Sequence, residues 1–353
     1  MLLQTDKQRV FGVDVIRAFA IICVICVHFF ANTPFLDTAF EGWNLFLQGV
    51  LYILFSSGVP LFLLLTGYLN IYKKPDAVYY RHITRILMSY VFISIVTWFV
   101  LSLHNNKSLS IIALTKGILG FKAIGYAWYV EMYIGLFLLI PFLNMIWEIC
   151  VKDKKNVLML LGTLFFISSI PCVINRHDMR FLPHYWTPLW VLLYYFTGGG
   201  IRHFYSAQKP FFFKKHLLLC LAALLACCSF NSLFSVFISS GKRYMTLTGI
   251  DSSPFAWLIA VIIFIFMYQC KNDNSNGIFG KVVRMLALYS FDIYLFSYMF
   301  DRLFYPWIMQ HLFISQTQIV LYFIPIVGCV LLCSFMASWI KERLISMFMA
   351  FQR

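Results

Sequence analysis

The sequence predicts an all-α fold: a polytopic membrane helix bundle of about ten transmembrane helices. Hydrophobic residues make up 61% of the 353-residue chain and charged residues only 12%, whereas a soluble domain carries about a quarter charged residues. The apolar runs are about twenty residues long, the length that a helix needs to cross a bilayer, and a barrel strand would show only about ten. Short polar segments separate the runs, so we expect a single transmembrane domain over residues 1–353 with no fused soluble domain.

The apolar runs locate the individual spans. We expect them at about 10–31, 44–71, 86–103, 127–147, 156–174, 186–201, 217–239, 254–270, 286–305 and 318–340. The first run lacks a small-residue cleavage site, which favours a retained span over a cleaved signal. The sixth contains Pro188 and the glycine run 198–200, a pattern typical of a broken or re-entrant helix. The polar stretch 104–125 contains an apolar segment that suits an interfacial helix.

The distribution of positive charge predicts the orientation of the spans. Alternate segments, beginning with the N-terminus, carry 19 Lys and Arg residues at 7–9, 73–85, 152–155, 202–215, 271–284 and 341–353, and the remaining loops carry 8. Because cytoplasmic loops are enriched in Lys and Arg, both termini are predicted to be cytoplasmic. The net charge of +14 therefore reports orientation, and we expect the lipid bilayer, not nucleic acid, as the partner.

Three ionisable residues lie in the first span. Arg17 and His28 are eleven residues apart, which is three helical turns plus about 20°, so both face one side at a separation of about 16 Å. Asp14 shares that face. An ionisable group within a span is a candidate functional residue, and His is a common general base. The alternative is an Asp14–Arg17 pair at the membrane interface, where arginine snorkels to water.

Two further groups carry candidate site residues. Arg81 and Arg85 are four residues apart, so on a helix they project together and suit a phosphate-bearing ligand. The alternative, ordinary positive-inside charge, is favoured by the spacing alone. Tyr126, Trp128 and Glu131 begin the fourth span; the aromatic rings suit either a membrane-interface belt or a platform for a sugar ring. Glu131 is costly within an apolar span unless it faces a partner or water.

The ten cysteines lie almost wholly inside apolar runs. Disulfide and metal frameworks place cysteines in loops or at ligand spacing. We therefore expect small buried hydrophobic residues and no metal site.

Several of these segments together resemble one known family. The Arg17 to His28 spacing within 14–28 resembles the Arg-x10-His pattern of the acyltransferase-3 family of bacterial integral-membrane O-acyltransferases. The segment 59–69, VPLFLLLTGYL, is similar to that family's second-helix block. The pair Arg81 and Arg85 resembles its arginine pair, and 127–141 and 290–295 resemble its later blocks. The five blocks occur in family order.

The resemblance implies transfer of an acyl group, usually acetyl from cytoplasmic acetyl-CoA, to a sugar hydroxyl of a surface polysaccharide or its lipid-linked precursor. It implies catalytic roles for His28 and Arg17, donor binding by Arg81 and Arg85, and acceptor or supporting roles for Asp14, Tyr126, Trp128 and Glu131. It also implies a bacterial cytoplasmic membrane, acetyl-CoA as a substrate with no permanently bound cofactor, and glycan-assembly proteins as partners. Tyr126 and Ser297 stand where many members have histidine.

Two other functional classes fit the same residues. A transporter of a small anion or metabolite would use the intramembrane charges as a pathway, and it would move substrate without acetyl-CoA. A non-catalytic scaffold would tolerate the loss of His28.

Overall fold

The structure, a computed structural model, describes residues 10–106, 108–175, 181–205, 211–239, 251–270 and 277–351. Throughout these ranges the regular secondary structure is helical and no strand occurs. Part of the charge count on which the orientation rests lies outside the described residues, at Lys7, Arg9, Lys107, Arg176, Arg180, Lys209, Lys242, Arg243, Lys271 and Arg353. The orientation of the termini therefore stays a prediction.

The α-helices of the described residues follow one another with short connections. They are α1 (Phe11–Asn32), α2 (Gly42–Phe55), α3 (Gly58–Asn70), α4 (Ala77–His104), α5 (Ile111–Leu119), α6 (Trp128–Cys150), α7 (Lys154–Ile174), α8 (Trp190–Phe204), α9 (Phe211–Ser239), α10 (Pro254–Tyr268), α11 (Ile278–His311), α12 (Gln316–Ile319) and α13 (Phe323–Phe351). Seven stretches of the described residues are long and apolar enough to cross a membrane. They are α1, the α2–α3 pair, α4, α6, α7, Leu218–Val236 within α9, and Gln316–Met347.

The other three predicted spans are helical but do not have the length and polarity of a membrane span. Helices α8 and α10 have 15 residues each, and about twenty are needed to cross a bilayer. Helix α11 has 34 residues but contains Asp292, Asp301 and Arg302. The membrane character of the chain is thus supported, whereas the number of ten spans remains a prediction.

The short polar segments start helices where the sequence provides a side-chain acceptor. Asp76 accepts a hydrogen bond from the backbone N–H of Tyr79 at the start of α4, and Asp153 does the same at α7. Ser253 accepts from the N–H of Ala256 and is followed by Pro254 at the first position of α10. Such residues satisfy N–H groups that have no partner within the helix.

The predicted second span is interrupted near its middle. Helix α2 ends at Phe55 and α3 begins at Gly58, with Ser56 and Ser57 forming a turn between them. The hydroxyl of Ser56 donates to the carbonyl oxygen of Tyr52, and that of Ser57 donates to the carbonyl oxygen of Leu54. These bonds satisfy the turn's hydroxyls locally, as an apolar environment requires.

The described chain divides into two compact units. The N-terminal unit comprises Leu2–Lys74 and Ile140–Arg284, and the C-terminal unit comprises Pro75–Leu139 and Met285–Arg353.

In the N-terminal unit, α3 packs along α8, and α1 packs against α2, α3 and α10. Two glycines allow the close approach of α3 and α8. A Cβ atom on Gly67 would collide with the carbonyl oxygen of Tyr195, and one on Gly198 would collide with that of Leu64. The glycine run that suggested a break at residues 198–200 lies instead inside regular helix α8, where small residues allow backbones to touch. The irregularity precedes it, as a 3₁₀ turn at His184–Leu189 containing Pro188.

In the C-terminal unit, α5 packs beside α4. The hydroxyl of Tyr90 on α4 donates to the carbonyl oxygen of Ile118, and its ring stacks on Phe121 with centroids 5.2 Å apart. The expected helix in the polar stretch 104–125 is thus present as α5, with Ile111, Ile112 and Leu119 exposed. Its position at the membrane interface remains a prediction.

Candidate functional site

The candidate residues of α1 lie in the N-terminal unit, and the structure pairs two of them. Oδ1 of Asp14 is 3.9 Å from Nη1 of Arg17. Both side chains are turned inward, because Asp14 is 2% exposed and Arg17 is 8% exposed. A snorkelling arginine would extend its guanidinium to water. The burial of Arg17 therefore favours an interior position for the pair.

His28 lies three turns further along the same face of α1. It is partly exposed, although its neighbours Phe29 and Phe30 are fully buried. The two phenylalanine rings lie against each other edge to face at 5.4 Å, and Phe30 meets Tyr52 at 5.8 Å. The backbone carbonyl of His28 accepts a hydrogen bond from Nδ2 of Asn32. The imidazole is thus held on a rigid aromatic base and is still reachable from outside.

Arg81 and Arg85 lie in the first two turns of α4, in the C-terminal unit, and both are exposed. They occupy the same helix face, as their spacing predicted. Nη2 of Arg85 is 3.6 Å from Oε1 of Glu342 on α13, and the two side chains are 56% and 33% exposed. The two guanidiniums are therefore accessible to an anionic ligand.

Tyr126 forms part of a second cluster in the C-terminal unit. Its hydroxyl donates to Oδ2 of Asp301 at 2.7 Å, and Asp301 is 1% exposed. The hydroxyl of Tyr294 donates to the carbonyl oxygen of Tyr126, and the ring of Tyr298 lies edge-on to that of Tyr126 at 5.0 Å. Tyr126 is thus fixed to α11 by polar and aromatic contacts together.

Trp128 and Glu131 occupy the first turn of α6. Trp128 is 43% exposed, and Glu131 is also exposed. A carboxylate in the first turn is favoured by the positive end of the helix dipole. Glu131 thus lies at the start of the helix and not deep within a span, which removes most of the cost expected from the sequence.

A buried ion pair in the C-terminal unit was missed by sequence reasoning. Nζ of Lys341 on α13 is 2.6 Å from Oδ2 of Asp292 on α11, and it also donates to the hydroxyl of Ser89 on α4 at 2.7 Å. Lys341 is 2% exposed and Asp292 is 7% exposed. The sequence placed Lys341 in a loop after a span ending at residue 340, whereas α13 continues to Phe351. A basic residue that directly follows an apolar run was the available signal.

A second missed group joins three helices of the N-terminal unit. Nδ2 of Asn144 on α6 donates to the carbonyl oxygens of Asn70 and Lys73, and its Oδ1 accepts from the hydroxyl of Tyr195. Asn144 is 2% exposed. All hydrogen-bonding capacity of the amide except one lone pair is used, so Asn144 holds the end of α3 against α8.

The cysteines agree with their predicted role, since all ten are free thiols. Within the residues that the structure describes, His, Cys, Asp and Glu side chains form no group of three or more that would hold a metal ion.

Apolar helices with ionisable side chains turned to the interior define an integral membrane protein with a polar interior. The acyltransferase-3 family model, described as "Acyltransferase domain", matches residues 10–339. The chain therefore belongs to this family, and the family supports a membrane acyltransferase reaction. The same comparisons find no match among curated proteins and none among solved structures.

Proposed function

We propose that the protein transfers an acetyl group from cytoplasmic acetyl-CoA to a sugar hydroxyl of a surface polysaccharide or of its lipid-linked precursor. In this proposal it is a single transmembrane acyltransferase domain of the bacterial cytoplasmic membrane, with about ten spans and both termini in the cytoplasm. Acetyl-CoA is a substrate and not a bound cofactor. Glycan-assembly proteins are the expected partners.

The observation that carries the proposal is the arrangement on α1. A partly exposed histidine lies about 16 Å from a buried Asp14–Arg17 pair on one face of an apolar helix. That distance excludes direct contact between Arg17 and His28. It suits an extended ligand such as the pantetheine arm, with Arg17 near the thioester end and the sugar hydroxyl near His28.

His28 is the proposed catalytic residue. In one route its imidazole takes the proton from the sugar hydroxyl while the hydroxyl oxygen attacks the thioester carbon. The C–S bond then breaks, and the proton passes to the departing CoA sulfur. In the other route the imidazole first receives the acetyl group and then gives it to the hydroxyl. Both routes form one C–O ester bond and release CoA as its thiol.

The remaining candidate residues have binding and supporting roles. Arg81 and Arg85 are exposed guanidiniums four residues apart, which suits the phosphate groups of the donor. Trp128 presents an exposed ring suited to a sugar face. Asp14 orients Arg17, Tyr126 is held by Asp301, and Glu131 supplies a carboxylate at the start of α6.

The test is acetyl transfer in membrane vesicles that contain the protein. Radiolabelled acetyl-CoA is added, and label in extracted glycan and glycolipid is counted for the wild type and for His28→Ala. General-base assistance is worth about 10²- to 10⁴-fold, so the variant should lose nearly all transfer while its amount in the membrane is unchanged. Wild-type rates in His28→Ala exclude this role for His28. Uptake of a labelled solute without acetyl-CoA, with no label in glycan, favours the transporter.

A further inference from the structure

Four charged residues of the C-terminal unit form a chain of alternating sign. Asp292 is 2.6 Å from Lys341, Lys341 is 3.9 Å from Oε1 of Glu342, and that same oxygen is 3.6 Å from Arg85. The chain begins among packed helices and ends at one of the two exposed arginines of α4. It thus connects a buried ion pair with the proposed donor-binding residues.

The two ends of this chain differ in their freedom to exchange partners. Lys341 is enclosed, with Asp292 and Ser89 within hydrogen-bond distance of Nζ. Separating a buried ion pair leaves an uncompensated charge and is costly. Glu342 and Arg85 are 33% and 56% exposed, so water replaces either partner at little cost. Only the Glu342–Arg85 contact is therefore exchangeable.

An anionic ligand at Arg85 meets the carboxylate of Glu342 directly. Phosphate oxygens and carboxylate oxygens use the same guanidinium N–H groups. A phosphate that binds both Arg81 and Arg85 must therefore displace Glu342 from Arg85 or share Arg85 with it. Sharing brings two negative groups close together, which weakens binding of the ligand.

We propose that Glu342 is a positioning residue that holds Arg85 when no donor is present and competes with the donor's phosphate groups for it. The proposal rests on the proposed function, which places the acyl donor at Arg81 and Arg85. Because acetyl-CoA and the product CoA carry the same phosphates, Glu342 weakens the binding of both. It lowers affinity for the donor and speeds release of CoA by the same interaction.

The first experiment measures kinetics in vesicles. Glu342→Gln should lower the KM for acetyl-CoA and the inhibition constant of CoA in parallel, by about two- to five-fold, the range of an exposed ion pair. The kcat should stay unchanged, since Glu342 touches no reacting atom. Glu148→Gln is the matched control, because Glu148 on α6 is also exposed and the charge change is identical. That control should leave both constants unchanged.

The second experiment tests whether the effect passes through Arg85. Arg85→Gln alone should raise the KM for acetyl-CoA, and adding Glu342→Gln to it should then have no further effect. An equal gain from Glu342→Gln in both backgrounds overturns the proposal, because it shows a general surface-charge effect. An unchanged or increased KM in Glu342→Gln alone also overturns it.

Direct binding separates this proposal from the proposed function. CoA is titrated calorimetrically into the purified protein in nanodiscs, for the wild type and for Glu342→Gln. Tighter binding by the variant in a protein that transfers no acetyl group supports the role of Glu342 and contradicts the acetyltransferase. Acetyl transfer with equal CoA affinity in both proteins supports the acetyltransferase and contradicts the role of Glu342. No CoA binding by either protein contradicts both.

Discussion

Lys341 and Asp292 form an ion pair of 2.6 Å between α13 and α11, with 2% and 9% of their side chains exposed. They are 49 residues apart in the sequence. Charged side chains within apolar helices are expensive unless they are paired, and here Ser89 provides a further hydrogen-bond acceptor for the ammonium group. The pair therefore fixes three helices of the C-terminal unit at one point.

Removing one partner of this pair should destabilise the protein more than removing both. Lys341→Met leaves the Asp292 carboxylate buried without its partner, at a cost of about 3–5 kcal/mol. The double variant Lys341→Met with Asp292→Leu should recover most of that loss. Thermal unfolding in detergent measures both. Lys281→Met, at an exposed position of α11, is the control, and additive losses in the double variant would contradict the pairing.

A methyl group on one glycine should disturb the packing of α3 and α8. Gly198→Ala directs its Cβ into the carbonyl oxygen of Leu64, so we expect a loss of about 1–3 kcal/mol or more. Gly162→Ala on α7 is the same chemical change at a position with nothing within 4 Å, and it should be neutral or stabilising, since alanine favours helix. Resistance to proteolysis and the melting temperature report the difference. Equal melting temperatures for the two variants would argue against the close contact.

Asp251, between α9 and α10, should make stability depend on pH. Burial raises the pKa of its carboxyl to about 7, from about 3.9 in an unfolded chain. The folded state therefore holds a proton that the unfolded state has lost between about pH 4 and 7, and stability falls as the pH rises through that window. Asp251→Asn should raise the melting temperature more at pH 8 than at pH 5.

The control for this pH dependence is Asp37→Asn, a change at an exposed aspartate. It should shift the melting temperature equally at both pH values. The same equal shift for Asp251→Asn would show that Asp251 ionises normally in the folded protein.

The geometry of the Arg17 side chain should matter as well as its charge. Arg17→Lys keeps the positive charge but loses the planar fork of N–H donors, so we expect acetyl transfer to fall at least tenfold with the protein still present in the membrane. Arg302→Lys, an exposed change on α11, should have little effect. Activity close to that of the wild type in Arg17→Lys would return Arg17 to a simple interfacial charge.

The sequence predicted best the features that depend on neighbouring residues. The bounds of α1 follow from a continuous apolar run, and the contact between Asp14 and Arg17 follows from their i,i+3 spacing. The exposure of Arg81 and Arg85 on one face follows from helix periodicity. Each of these requires only the geometry of a single helix.

Contacts between distant segments could not be predicted in this way. Tyr126 and Asp301 are 175 residues apart, and Asn144 reaches carbonyl groups more than 70 residues earlier. Helical periodicity identifies which side of a helix is polar but not which other helix faces it. The break at Ser56 and Ser57 was also missed, because the apolar run continues through it.

The break between α2 and α3 also determines the depth of the candidate catalytic residues. A Cβ atom on Gly58 would lie only 2.8 Å from the carbonyl oxygen of Ala20 on α1, so at this point the two helices meet backbone to side-chain-free backbone. Ala20 lies between Arg17 and His28. Sliding α1 by one residue would bring a different backbone surface against Gly58 and move both side chains by about 1.5 Å. The axial position of the two ionisable groups is therefore set by a contact that involves neither of them.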